Sequence, residues 1–218
     1  MNTRANAQDV MTAPNDASTV LTMTGITKRF PGVIALDSVD LAVPAQHVLG
    51  LVGENGAGKS TLIKILAGAY RADSGAVKIN DVELEHGTQA AIDAGIAVIY
   101  QELSLVNDMS VAENLFLGRM PTSVGFLSRR EAERRSRDAL AHVGLEHVDP
   151  RRRLGDLPLN QRQLVEVAKA LVRDARILIM DEPTAALQSH DIENLYGVVR
   201  ELRAKGLGIV FISHHLEE

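Results

Sequence analysis

The stretch Gly53-Glu54-Asn55-Gly56-Ala57-Gly58-Lys59-Ser60-Thr61 carries the clearest chemistry in this chain. Its spacing is G-x-x-x-x-G-K-[ST], the phosphate-binding loop (P-loop), in which backbone N–H groups converge on phosphate oxygens. Gly56 and Gly58 permit backbone shapes that a Cβ would block, and a helix starting here adds the positive end of its dipole. Lys59 would reach the β- and γ-phosphates, Ser60 would ligate Mg²⁺ through its hydroxyl, and Thr61 would bond the α-phosphate. The bland rival is a glycine-rich turn with an exposed lysine. The flanks argue against it, because an apolar run, Val48-Leu49-Gly50-Leu51-Val52, precedes the loop and Leu62-Ile63-Lys64-Ile65-Leu66-Ala67 follows it. A buried strand, a loop and a helix are expected in that order, with a nucleoside triphosphate as ligand.

A second constellation lies some 120 positions on. Ile177-Leu178-Ile179-Met180 ends in Asp181-Glu182. A continuous apolar strand that delivers an acid at its C-terminal end suits a Walker B role. Asp181 would hold Mg²⁺, mostly through water, and Glu182 would orient or deprotonate an attacking water. Two acids in a solvated loop are the alternative, which the upstream phosphate motif disfavours.

The elements that must position these residues follow from periodicity and turn chemistry. Residues 1–19, rich in Asn, Ala, Asp, Ser and Thr, read as a disordered leader. Strands are expected at Val20 to Ile26, Ile34 to Val43, Gly75 to Ile79, Ile96 to Tyr100, Ile177 to Met180 and Gly208 to Ile212. Thr88 to Ala94 reads as a short helix. From about residue 103 to 174 the pattern turns helical throughout. There Ser128 and Glu131 form a candidate capping box, closed by Gly144, and a second helix runs from about Gln161 to Asp174. A long amphipathic helix then carries Ile192, Leu195, Val198, Val199 and Leu202 toward the core. The sum is an α/β fold with a helical insertion.

Composition excludes several classes. With 45% hydrophobic and 23% charged residues the 218-residue chain is ordinary for a globular domain, and no apolar run approaches a membrane span. It has no cysteine, so disulfides and thiol chemistry drop out and a reducing cytosol is the natural fit. Seven histidines show no metal-ligand spacing. A net charge of −5 and 3% aromatics give no reason to expect nucleic acid. The arginines at 129–137 and 151–153 alternate with acids, as on a solvated helix face.

The segment Asp181-Glu182-Pro183-Thr184-Ala185-Ala186-Leu187 resembles the Walker B region of ATP-binding cassette (ABC) ATPases. Further landmarks fall in family order. Gln101 resembles the Q-loop glutamine, which would bond Mg²⁺-bound water, and His214 resembles the switch histidine at the γ-phosphate. Phe30 resembles the aromatic that stacks on adenine, although a small core contact is its alternative. The resemblance covers nearly everything from residue 20 to the end. It implies a P-loop NTPase (RecA-like) core with an antiparallel β subdomain and an inserted α-helical subdomain at about 103–174.

The stretches Lys28-Arg29-Phe30-Pro31-Gly32-Val33-Ile34-Ala35-Leu36 and Leu164-Val165-Glu166-Val167-Ala168-Lys169-Ala170-Leu171 look like the ribose-, galactose-, arabinose- and xylose-type importers. Those ATPases usually hold two cassettes in tandem, which implies that this chain is the N-terminal cassette of a longer protein. The implied reaction is ATP hydrolysis with Mg²⁺, catalysed by Glu182, His214, Gln101 and Lys59. The implied partners are permease subunits, a second cassette and, indirectly, a periplasmic sugar-binding protein, at the cytoplasmic face of the inner membrane. Rival readings are a soluble ABC ATPase without a transport role and a nucleotide sensor with little turnover.

The resemblance breaks at two places. The signature, usually Leu-Ser-Gly-Gly-Gln, is Leu157-Pro158-Leu159-Asn160-Gln161 here, and Gln188 stands where the family has its D-loop aspartate. Pro158 lacks both hydroxyl and N–H, and Leu159 and Asn160 add Cβ atoms where glycines permit close approach. Asn160 with Gln163 is expected to cap the second helix.

Overall fold

The computed structural model describes residues 19–54, 56–123, 126–185 and 187–213. Strands β1 (Thr19–Phe30) and β2 (Val33–Pro44) form a hairpin, β3 (Val48–Val52) enters the glycine-rich loop, and α1 (Lys59–Leu66) leaves it. Then come β4 (Ser74–Ile79), β5 (Val82–Glu83), α2 (Thr88–Asp93) and β6 (Ile96–Ile99). The next stretch holds α3 (Val111–Leu115), β7 (Thr122–Ser123), β8 (Phe126–Leu127), α4 (Arg129–Ala141), a 3₁₀ turn at Leu154–Asp156 and α5 (Leu159–Val172). The chain returns to the core with β9 (Ile177–Asp181), α6 (Ser189–Ala204) and β10 (Gly208–Ser213).

Two four-stranded sheets carry the architecture. One is antiparallel, in the order β2-β1-β4-β5, and the other is parallel, in the order β3-β10-β9-β6. The parallel sheet separates two cores, which its strands feed alternately. Ile177, Ile179, Val210 and Ile212 face α1 and the antiparallel sheet, while Leu178, Met180, Ile209 and Phe211 face α5 and α6. A strand buried on both faces must be apolar at every position, which is why Ile177 to Met180 reads as an unbroken run. Each such aliphatic side chain contributes about 1.5–3 kcal/mol on burial, so Asp181 rises from a rigid stem.

The fold class expected from the sequence is the one observed, and several local expectations need correction. β3 is not a buried strand: it closes one edge of the parallel sheet, leaving Val48 and Val52 exposed. The leader expected over 1–19 loses Thr19 to β1, and the rest of it lies outside the described residues. β6 stops at Ile99, before Tyr100. The inserted stretch is not all helical, since β7 and β8 pair and Ser110 bridges to Arg153.

The box at Ser128 is only half made. Ser128 Oγ accepts from the Glu131 N–H, but the Glu131 carboxylate is taken by Arg134 and the Ser128 N–H by the Pro121 carbonyl. The complete capping box belongs to α3, where Ser110 Oγ accepts from the Glu113 N–H and the Glu113 carboxylate accepts from the Ser110 N–H at 2.8 Å. On α6, Leu195, Val198, Val199 and Leu202 are buried as expected, and Ile192 only partly.

Candidate nucleotide-binding site

Parallel register brings the chemically active segments together. Val52 pairs with Ser213, Asp181 with Ile212, and Ile99 with Met180. The C-terminal ends of all four strands therefore line one edge of the sheet. That edge carries Gly53 after β3, Asp181-Glu182 at β9 and Tyr100-Gln101 after β6, the side on which open parallel sheets bind ligands. β10 alone separates β3 from β9, so the two ends stand about 10 Å apart, two strand spacings. His214 follows β10 and, with Asn55, lies outside the described residues.

Gly58 fixes the shape of the loop. Its φ of +89° is open chiefly to glycine, and a Cβ there would meet the Ala35 carbonyl oxygen at 2.5 Å and Leu36 Cδ2 at 2.9 Å. The P-loop thus lies directly on β2. Gly58 also starts α1, accepting from the Leu62 N–H at 2.9 Å, and Ala57 donates to the Glu54 carbonyl at 3.2 Å. Buried Leu62, Ile63, Ile65 and Leu66 hold the helix, leaving Ser60 exposed and Thr61 partly so on its first turn. Lys59 Nζ curls back to the Gly53 carbonyl and, at 3.0 Å, to that of Glu54.

The acid pair is electrically tied to this loop. Burial, then the neighbouring Glu182 charge, pushes the Asp181 carboxyl above the usual range, and the Lys59 and Lys64 ammoniums offset part of that shift. Desolvation and the Asp181 charge likewise raise the Tyr100 phenol. Glu182 has φ +48°, a left-handed conformation rare for a residue with a Cβ. Its N–H donates to the Ile212 carbonyl at 3.0 Å, and its own carbonyl accepts from Ala185 at 3.3 Å. Gln101 is exposed beyond the end of β6.

Phe30 ends β1 at the hairpin tip. Its ring is 37% exposed and meets Tyr70 edge-on at 5.7 Å, with Lys28 Nζ 5.6 Å from its centroid. Lys28 is itself anchored to Asp73 at 2.8 Å. Because Lys28 pairs with Leu36 and the adjoining Ala35 touches Gly58, Phe30 belongs to the stretch of hairpin beside the P-loop.

The family profile described as ABC transporter matches residues 36–185. The chain belongs to the ABC transporter family. It is 52% identical over 205 residues to the ribose import ATP-binding protein RbsA 1 of Streptomyces avermitilis, covering 94% of this chain and 39% of that protein. It is also 47% identical to the arabinose import ATP-binding protein AraG of Azospirillum brasilense, covering 91% of this chain and 38% of the relative. The chain thus spans about two-fifths of the length of these relatives. Among solved structures, an ATP-binding cassette of an ABC transporter in its ADP conformation superposes with a TM-score of 0.81 at 29% identity, covering 91% of this chain and 82% of that one. A nucleotide-free cassette gives 0.80 at 28% identity, covering 91% and 83%.

Against the ABC pattern, the start of α5 differs from the sequence expectation. The helix begins at Leu159 with Pro158 as its N-cap residue, not at Asn160, and has no side-chain cap bond. Proline suits that position because the N–H it lacks is not needed there. Asn160 instead sits in the first turn, accepting from the Gln161 N–H at 2.9 Å and donating to Asp191 Oδ1 at 2.7 Å. Gln163 Nε2 donates to the Pro183 carbonyl at 3.1 Å, so it too is not a capping group. Tyr70, Lys64, Tyr100 and Asp191 went unread in the sequence because their partners are distant in the chain.

Proposed function

We propose that this chain is the ATP-binding and ATP-hydrolysing part of a bacterial importer for a monosaccharide. The observation that supports this most is the shared sheet edge, which holds the P-loop and Asp181-Glu182 next to one another. The ribose and arabinose import names of the relatives give the class of cargo.

In the proposed reaction, water attacks the γ-phosphate in line, and the protein supplies position and charge. The amides of residues 53–58 and Lys59 hold the phosphates, Ser60 and Thr61 complete the cradle, and Phe30 stacks on adenine. Glu182 aligns the water, and Gln101 and His214 complete the γ-phosphate surroundings. Mg²⁺ fits the donors Ser60, Gln101 and Asp181, which are all oxygen. Among the described residues no cluster of three or more His, Cys, Asp or Glu exists, so phosphate and water must fill the remaining positions, as Mg²⁺ favours. When bound, the ion offsets charge on the phosphates.

Asp181→Asn tests that role. A carboxyl with a raised pKa stabilises the fold fully below its ordinary pKa and loses that contribution as pH rises through the raised value. At neutral pH the ligand-free variant should therefore melt higher than wild type. It should also lose the Mg-nucleotide stabilisation, which reaches about 2.7 kcal/mol at a hundredfold excess over Kd. A lower ligand-free Tm together with a retained Mg-nucleotide shift would reject the assignment.

The proposed partners are a second cassette, whose signature would complete this ATP site, and permease subunits at the surface near Gln101. Next to Gln101, a cavity of about 180 Å³ opens between β6, α2 and α5, lined by Tyr100, Ser104, Glu166 and Lys169. A periplasmic sugar-binding protein would act only through the permease. Among the described residues no helix is long and apolar enough to cross a membrane, which suits a peripheral subunit at the cytoplasmic face of the inner membrane.

Alone, the chain should bind Mg-ATP but hydrolyse it slowly, because the signature that faces its own site belongs to another cassette. ATPase rates measured alongside light scattering test this, and rapid turnover by a monomer would contradict it. The altered segment Pro158-Leu159-Asn160 favours one rival, a nucleotide sensor. Single-turnover hydrolysis in the assembled transporter separates the two, since a sensor would leave bound ATP intact.

A further inference from the structure

The segment from Glu182 to Gln188 joins β9 to α6 and begins in a strained conformation. A residue with a Cβ at φ +48° costs about 1–3 kcal/mol and persists only where its surroundings over-determine it. Within the loop, Ala185 donates to the Glu182 carbonyl at 3.3 Å and Leu187 to the Thr184 carbonyl at 3.0 Å. The start of the loop and the helix that follows it are also held from outside, by the same turn of α5. Gln163 Nε2 grips the Pro183 carbonyl next to Glu182, and Asn160 Nδ2 grips Asp191 Oδ1 in the first turn of α6. Pro183 and Thr184 are buried between these points.

We propose that Asn160 and Gln163 are positioning residues that clamp the Glu182 loop to the start of α5. Asn160 stands where the family signature has a glycine, and a glycine could not make the bond to Asp191. The departure that weakens the signature thus adds a strut to this chain's own acid pair. The segment facing a partner's nucleotide and the loop beside this chain's own nucleotide become one mechanical unit. The kinetic part of this inference rests on the ATPase reading, and the structural part does not.

A reciprocal swap tests the clamp. Asn160→Asp keeps the acceptor for the Gln161 N–H but turns a carboxylate oxygen toward Asp191. Asp191→Asn alone retains a carbonyl oxygen that accepts from Asn160, so it should behave as wild type. The double variant rebuilds the bond in reverse, with the amide of residue 191 donating to the carboxylate of residue 160. In the assembled transporter, Asn160→Asp should lower kcat about ten- to a hundredfold with little change in KM for ATP, the scale of a small misplacement of a reacting group. In the chain alone, its Ala185 and Leu187 amides should exchange hydrogen faster than in wild type. The double variant should recover both properties.

Unchanged exchange at Ala185 and Leu187 in Asn160→Asp would overturn the clamp, as would a double variant no better than the single one. A wild-type transporter without ATPase activity would count against the hydrolytic reading alone, and exchange would still decide the clamp.

Discussion

Glu182→Gln in the assembled transporter should cut ATP turnover about a hundredfold or more while leaving Mg-ATP affinity within a few-fold, the scale of a lost general base. The substitution keeps the size of the side chain and removes its charge. It also removes one of the two causes that raise the Asp181 carboxyl. Pro158→Ser should change turnover far less, because Pro158 makes no side-chain bond at the start of α5 and, in the proposed pairing of cassettes, the signature serves the opposite site. Steady-state rates and nucleotide titrations of the two variants check the contrast. Equal turnover for Glu182→Gln and wild type would reject the role given to Glu182.

Gly58→Val should abolish measurable nucleotide binding and lower stability by several kcal/mol. Two independent penalties act at this site. The left-handed backbone costs about 1–2 kcal/mol for a residue with a Cβ. The added atom would also lie 2.5 Å from the Ala35 carbonyl oxygen, so β2 and the loop must separate and the start of α1 must move. Gly56 is the control, since its φ is also +89° but a Cβ there meets nothing within 4 Å. Gly56→Val should therefore carry the conformational penalty alone. Thermal melts read the contact penalty and fluorescent-nucleotide titrations read the phosphate cradle, and similar losses of stability at both glycines would show that contact with β2 is unimportant.

What the sequence made legible follows the range of the forces involved. The P-loop and the strand into Asp181-Glu182 are local patterns, readable from glycine spacing and from an apolar run, and parallel pairing then brings them to one edge. The exposed outer positions of β3 were not legible, because an edge strand and a central one can share the same apolar composition. Capping shows the same limit. Ser110 and Glu113 complete a box, whereas at Ser128 the Arg134 guanidinium competes successfully for the Glu131 carboxylate. Asn160 and Gln163 looked like a local cap and instead bond to Asp191 and Pro183, partners 31 and 20 positions away. A sequence shows the donor but not which acceptor the fold will bring to it.

In the proposed site, residues 53–61 hold a triphosphate whose γ end faces Asp181 and Glu182. A crystal structure of the chain grown with Mg²⁺ and a non-hydrolysable ATP analogue measures this directly. The β- and γ-phosphates should lie inside the loop, with Lys59 turned onto them and Ser60 and the water shell of Asp181 around the ion. Phosphates bound elsewhere, or a γ-phosphate remote from Asp181 and Glu182, would contradict that arrangement.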